Sequence, residues 1–277
     1  MIFYFSATGN TRWAAETLAR RLDERLVSMA DALHGDCRFD LEARERVGFA
    51  FPVHGWRPPR LVRTFATKLT LTPRGQRPQG SGSPYAYCLV TAGDDTGLAV
   101  DDYFDKCVAR NASLASLGIG RVDAAFSLIM PESYVGLPLM DVDTPAREHD
   151  KKSRAEEDLG RIADIVEGRR RGVRMLKRGT APWTKSHVLG ACFERMLVTD
   201  RPFHVEERRC TACGACARAC PVGNVACEPG HAPEWRHNGE CLACFACYHH
   251  CPNHAIEYGR RTKHKGQYFF KPRLEKE

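Results

Sequence analysis

The sequence lacks any apolar run approaching the ~20 residues a helix needs to cross a bilayer, although 43% of its 277 residues are hydrophobic. Its opening residues, Met1-Ile2-Phe3-Tyr4-Phe5-Ser6, carry neither the basic region nor the long apolar stretch of a secretory signal, and they read as a buried strand. A cytoplasmic protein without a membrane span is therefore expected. No nucleic-acid module surrounds the densest basic run, Arg169 to Arg178. The formal charge of +7 is thus assigned to a solvated helix face, or to docking of an acidic redox partner, and not to nucleic acid.

Cysteine, by contrast, is abundant, with 13 residues. In a long chain without a signal this points to metal more often than to disulfides. The run Cys210-Thr211-Ala212-Cys213-Gly214-Ala215-Cys216-Ala217-Arg218-Ala219-Cys220-Pro221 returns 31 residues later as Cys241, Cys244, Cys247, Cys251 and Pro252. Asn224-Val225 aligns with Ala255-Ile256, so each half of this duplication is expected to add one strand to a shared small core. Three thiolates on a tight loop each reach a different iron of a cube, and the fourth ligand comes from elsewhere. The small residues Ala212, Gly214, Ala215, Ala243 and Ala246 let backbone amides approach the sulfides of an anionic cluster. Zinc takes four ligands per ion and rarely uses a run of four ending in proline, so two [4Fe-4S] clusters are expected. The runs resemble those of bacterial two-cluster ferredoxins, in which the last cysteine of each run serves the other cluster. That resemblance implies Cys210, Cys213, Cys216 and Cys251 on one cluster, and Cys241, Cys244, Cys247 and Cys220 on the second. Between the runs, Pro229, Gly230, Pro233 and Gly239 predict turns and a short hairpin. Cys227, outside the repeat, reads as an ordinary thiol, and His249 and His250 as polar neighbours of a ligand.

At the other end, the first strand runs into Ser6-Ala7-Thr8-Gly9-Asn10-Thr11 and then a helix from Arg12 to Arg25 with Trp13, Leu18 and Leu22 at helical spacing. Amides at a helix N-terminus point at an anion, the hydroxyls of Ser6, Thr8 and Thr11 add donors, and Gly9 permits close backbone approach. The loop has neither the glycine-lysine-threonine of a P-loop nor three spaced glycines, which disfavours ATP and NAD. Val47 to Val53, Tyr85 to Thr91 and Val122 to Met130 are further apolar strands. They place Pro52, Val53, His54, Gly55 and Trp56, then Thr91, Ala92, Gly93, Asp94, Asp95 and Gly97, and then Tyr134 at the carboxyl edge of a sheet.

The phosphate loop resembles that of flavodoxins, whose hydroxyl-glycine-asparagine-threonine order it matches without a gap. This implies an α/β, doubly wound parallel sheet binding FMN, with the two later loops flanking the isoalloxazine. By the same resemblance, Trp56 stacks on the ring and Gly55 permits a peptide rearrangement on one-electron reduction. From its position Tyr134 either covers the ring or caps the sheet, and Asp94 and Asp95, turn residues by type, would lower the semiquinone/hydroquinone potential if they lie near the pyrimidine edge. Cys37, Cys88 and Cys107 have no partner at ligand spacing and read as structural.

Leu159, Ile162, Ile165 and Val166 mark the last helix of the first layer. Val188, Cys192 and Met196, with Leu189, Phe193 and Leu197, recur every four residues and predict an amphipathic helix, with Cys192 on its buried stripe. The expected division is a flavodoxin-like domain over 1–172, a connecting helix over 173–200, and a small α+β two-cluster ferredoxin-like domain over 201–277. The whole resembles flavodoxin-ferredoxin fusion proteins. It implies electron transfer between FMN, two clusters and external redox proteins, with reduction of a small-molecule acceptor as the alternative and no acid-base catalytic residue.

Overall fold

Phe49, Ala50 and Phe51 are fully buried in succession, as a parallel strand covered on both faces requires. In the computed structural model, which describes residues 1–75, 82–228 and 230–270, they sit in a six-stranded parallel sheet. Pro229 of the expected link, and residues 271–277 of the expected second domain, lie outside the described residues. The strands are β1 (Ile2–Tyr4), β2 (Leu26–Ser28), β3 (Val47–Pro52), β4 (Ala86–Ala92), β5 (Ala124–Ile129) and β6 (Val173–Met175), in the order β2-β1-β3-β4-β5-β6. The first five follow the doubly wound flavodoxin order, which opens a crevice outside the carboxyl ends of β1 and β3. β6 pairs with β5 through Ala124 and Val173, so the sheet runs past residue 172, where the connecting segment was expected to begin.

Two helices cover one face of the sheet. Helix α1 (Asn10–Leu22) turns Ala14, Ala15 and Leu18 inward, and α2 (Pro145–Glu167) turns Ala155, Leu159, Ile162 and Val166 inward, against Leu89 and Phe126. Thr144 caps α2 by accepting the Arg147 amide, and Pro145 occupies the first turn, where its missing N–H costs nothing. On the other face, Leu61, Val62 and Phe65 of the helix Arg60–Lys68 pack with Phe3, Phe49, Phe51 and Phe104.

A third core belongs to the cysteine repeat. Val225–Ala226 forms a hairpin with Glu234–Trp235, and Ile256–Tyr258 pairs antiparallel with Phe203–Val205. Val225 and Ile256 enter one cluster with Phe245, Tyr248 and Tyr258, so each half adds its strand to a shared core as the repeat predicts.

Between the halves, a π-helical turn at Thr184–Leu189 leads into α3 (Gly190–Met196). Of the expected stripe only Phe193 is buried: Val188, Leu189, Cys192 and Met196 are exposed, and Ser186 and Gly190 face inward beside Phe193. The π turn widens the helix and shifts its face. Gly190 then meets the Gly55 carbonyl so closely that a Cβ would lie 2.6 Å from that oxygen. Among the described residues no helix is long and apolar enough to cross a membrane.

Candidate cofactor sites

Gly9 ends the first loop in a left-handed conformation, φ +94°, and opens α1 without a side-chain cap. The first-turn amides therefore face the crevice mouth with the positive end of the helix dipole behind them. Ser6 Oγ accepts the Gly9 amide at 3.2 Å. Thr11 Oγ1 meets Thr91 Oγ1 at 2.7 Å, tying the first loop to the end of β4. Asn10 donates to the Pro131 carbonyl at 3.0 Å, and Thr8 Oγ1 to Ser133 Oγ at 3.4 Å.

These residues line one side of a cleft of about 320 Å³. Ser6, Ala7, Thr8, Asn10 and Thr11 stand with Pro52, Val53, His54, Gly55 and Trp56, with Thr91, Ala92, Gly93, Asp94 and Asp95, and with Tyr134. Gly9 and Gly97 do not line it; Gly9 caps the helix, and Gly97 packs behind Trp56 against Ser186. Residues 54–57 form a tight turn in which His54 and Arg57 exchange backbone hydrogen bonds of 2.9 and 3.2 Å. Gly55 in that turn has φ +53°, and a Cβ there would lie only 2.5 Å from the Phe193 ring. Among the described residues, Tyr134 Oη and Asp95 Oδ1 are buried without a hydrogen-bond partner, so the cleft offers unspent polar groups beside an anion-seeking helix end. Such a donor set suits a phosphorylated, planar, polar-edged ligand.

Several cleft residues carry no signal in the sequence reading. Glu132 points at Gly93, where a Cβ would collide with its carboxylate. Burial raises the Glu132 carboxyl above its ordinary value, although the amides of Tyr134 and Ser133 donate to it at 2.8 and 2.9 Å. Lys185 enters the lining from the connector, pairs with Asp95 at 2.5 Å and lies 5.8 Å from the Trp56 ring centre. Burial holds His54 down to about 4, against a hydrogen bond with the Leu242 backbone, so the ring is neutral. His54 was expected here, whereas periodicity could not find Glu132 or Lys185, which reach the cleft only through tertiary packing.

Ala243 and Cys244 of the second cysteine run complete the lining. The repeat is reproduced in three dimensions. Ala212 and Ala243 donate backbone N–H to Cys210 and Cys241 sulfur at 3.4 Å, and Asn224 and Ala255 to Cys220 and Cys251 at 3.2 Å. Ala212 and Ala243 share left-handed φ values of 52° and 46°. Amide hydrogen bonds of this kind favour anionic sulfur.

Cys210, Cys213, Cys216 and Cys251 surround one small cavity. In the other group, burial pushes the Cys244 thiol up to about 12, with the Ala246 amide opposing and the charges of Cys241 and Cys220 adding to the rise. Burial likewise raises Cys247, followed by Cys244, Cys241 and Cys220. Buried thiols that oppose one another's ionisation form a donor set that a polycation at their centre satisfies. Among the described residues no three His, Cys, Asp or Glu side chains converge tightly enough for a single metal ion; a cube spreads its four thiolates over four irons.

His249, beside these ligands, is buried. Its Nδ1 accepts the Tyr268 amide at 3.1 Å, which fixes the tautomer, and Nε2 donates to the Ser133 carbonyl at 2.7 Å on the cleft wall. Cys227 is half-buried and close enough to Cys216 for its charge to act on that thiol.

Fold and sites together define a two-module electron-transfer protein of the flavin and iron-sulfur class. Residues 1–123 match the model of the flavodoxin domain, and residues 203–252 match that of the 4Fe-4S dicluster domain. In this order the two domains match a flavodoxin-ferredoxin fusion. No curated protein matches the chain.

Proposed function

We propose that this chain passes electrons between one FMN in the cleft and two [4Fe-4S] clusters in the cysteine repeat, and exchanges them with external redox proteins. The observation that carries this reading is that Cys244 and Ala243 share a cleft with Ser6, Thr8 and Asn10 of the phosphate loop. The flavin module extends through β6, the connector follows, and the cluster module begins near residue 201.

Within the cleft, the amides after Gly9 and the hydroxyls of Ser6 and Thr8 hold the FMN phosphate. The turn His54-Gly55-Trp56, the loop Thr91 to Asp94, and Tyr134 bracket the ring. When bound, FMN takes two electrons in single steps, which matches clusters that pass one each. Cys210, Cys213, Cys216 and Cys251 ligate one cluster, and Cys220, Cys241, Cys244 and Cys247 the other. The basic surface steers acidic partners.

Counting iron and flavin in anaerobically purified protein tests the reading: about eight irons and one FMN per chain are expected. Zinc in their place, or absence of flavin, overturns it. Sustained turnover of a small acceptor without a protein partner would replace the carrier by a reductase.

A further inference from the structure

Over the loops that carry the first three cysteines, residues 210–216 and 241–247, the two runs differ at two positions. Where the first has Thr211, exposed, the second has Leu242, 4% exposed and inserted into the core that contains Phe49 and Phe65 of the flavodoxin sheet. Where the first has Gly214, the second has Phe245, 1% exposed, whose ring meets Tyr134 of the cleft edge-on at 5.3 Å. The Leu242 backbone is also hydrogen-bonded to His54, and Arg60 donates to the Gly239 carbonyl at 2.6 Å. The second loop is thus docked on the flavodoxin module, and Cys244 reaches the cleft wall. In the first loop the equivalent cysteine, Cys213, is exposed.

We infer, resting on the function proposed above, that the two centres have different stations. The centre held by Cys220, Cys241, Cys244 and Cys247 is the relay beside the flavin, and the centre held by Cys210, Cys213, Cys216 and Cys251 is the port to solvent. A one-electron redox protein loses one electron to the port, the port passes it to the relay, and the relay to the flavin. Two such passes, with two protons from water, complete the two-electron reduction of FMN, and the reverse direction balances in the same way. Leu242 and Phe245 are positioning residues that set the station of the relay.

The test is the electron-spin relaxation of one-electron-reduced FMN in the full-length holoprotein, poised anaerobically with the clusters reduced. A reduced cluster nearby speeds that relaxation. Cys213→Ala is expected to leave the enhancement unchanged and Cys241→Ala to abolish it. Loss in Cys213→Ala with retention in Cys241→Ala overturns the assignment, as does equal loss in both. Should Cys241→Ala not fold, Leu242→Thr keeps all eight ligands and is expected to lose enhancement, whereas Thr211→Leu keeps it; no difference between those two also overturns the inference. Iron and flavin counts on the wild type, Leu242→Thr and Thr211→Leu, which keep all eight ligands, separate this failure from failure of the underlying reading, because missing clusters or flavin would show there first.

Discussion

The Tyr268 hydroxyl donates a 2.6 Å hydrogen bond to Asn10 Oδ1, joining residues 258 positions apart in the chain. Beside it, the Phe270 amide donates to the Thr8 carbonyl at 2.7 Å, and the Phe270 ring stacks on Trp13 at 5.1 Å. The end of the cluster module therefore straps the loop that opens α1. Tyr268→Phe leaves a buried amide oxygen unsatisfied, which costs about 1–3 kcal/mol. If that cost falls on the bound loop, FMN dissociates about 5-fold to 150-fold more readily, at 1.4 kcal/mol per tenfold. Titration of flavin fluorescence reads the change, while iron content is expected to stay constant; an unaltered dissociation constant would show that the strap does not support the loop.

Leu242 fills space in a core built mostly by the other module. Leu242→Ala is expected to lower the unfolding free energy by about 2–5 kcal/mol through the cavity it leaves. Thr211→Ala, at the equivalent exposed position, should stay within about 0.5 kcal/mol. Denaturant unfolding of the two variants side by side gives the comparison, and equal effects would mean that the two loops are not differently docked.

Glu132 supplies a pH dependence with a definite sign. Burial raises its folded pKa above the ordinary 4.5, so the folded state binds this proton more tightly than the unfolded one. Its contribution to stability is complete below pH 4.5 and is lost as pH rises through the higher folded value. Glu132→Gln, which cannot ionise, should therefore gain on the wild type as pH rises through that window and not below it. The same variant removes a negative charge from the cleft, so the bound flavin should become easier to reduce. Thermal unfolding across pH and a potentiometric titration check both halves.

The acidic pair after β4 is split by its surroundings. Asp94 is 70% exposed and 3.3 Å from Arg147, where solvent screens its charge, whereas Asp95 is 13% exposed and bound to Lys185 at 2.5 Å. Asp95→Asn frees the Lys185 charge near Trp56 and should raise the flavin potential more than Asp94→Asn does. Equal shifts in a potentiometric titration would remove the distinction.

Much of this was legible in the sequence because the periods were local. The apolar runs at Val47, Tyr85 and Val122 mark strands, and the cysteine spacing marks the repeat, since both patterns are fixed within a few residues. Fifteen of the residues expected at the flavin do line the cleft: five each from Ser6–Thr11 and Pro52–Trp56, four from Thr91–Asp94, and Tyr134. What could not be read was contact across modules. Cys192 was expected inside by a strict four-residue rhythm, which the π turn before α3 breaks. Glu132, Lys185, His249 and Tyr268 gain their roles from chain segments far away, and no local pattern announces such meetings. The contrast of Leu242 with Thr211 was on view in the duplication, but only the flavodoxin core gives it meaning.

Electron exchange between flavin and clusters inside one chain is the central claim of the proposed function. Anaerobic photoreduction in counted increments, followed by absorbance and EPR, tests this directly. About four electrons per chain are predicted, two for FMN and one for each cluster, with cluster and flavin signals changing together as they equilibrate. An end point of about two electrons, or flavin that stays oxidised while the clusters of the same chain are fully reduced, would contradict it.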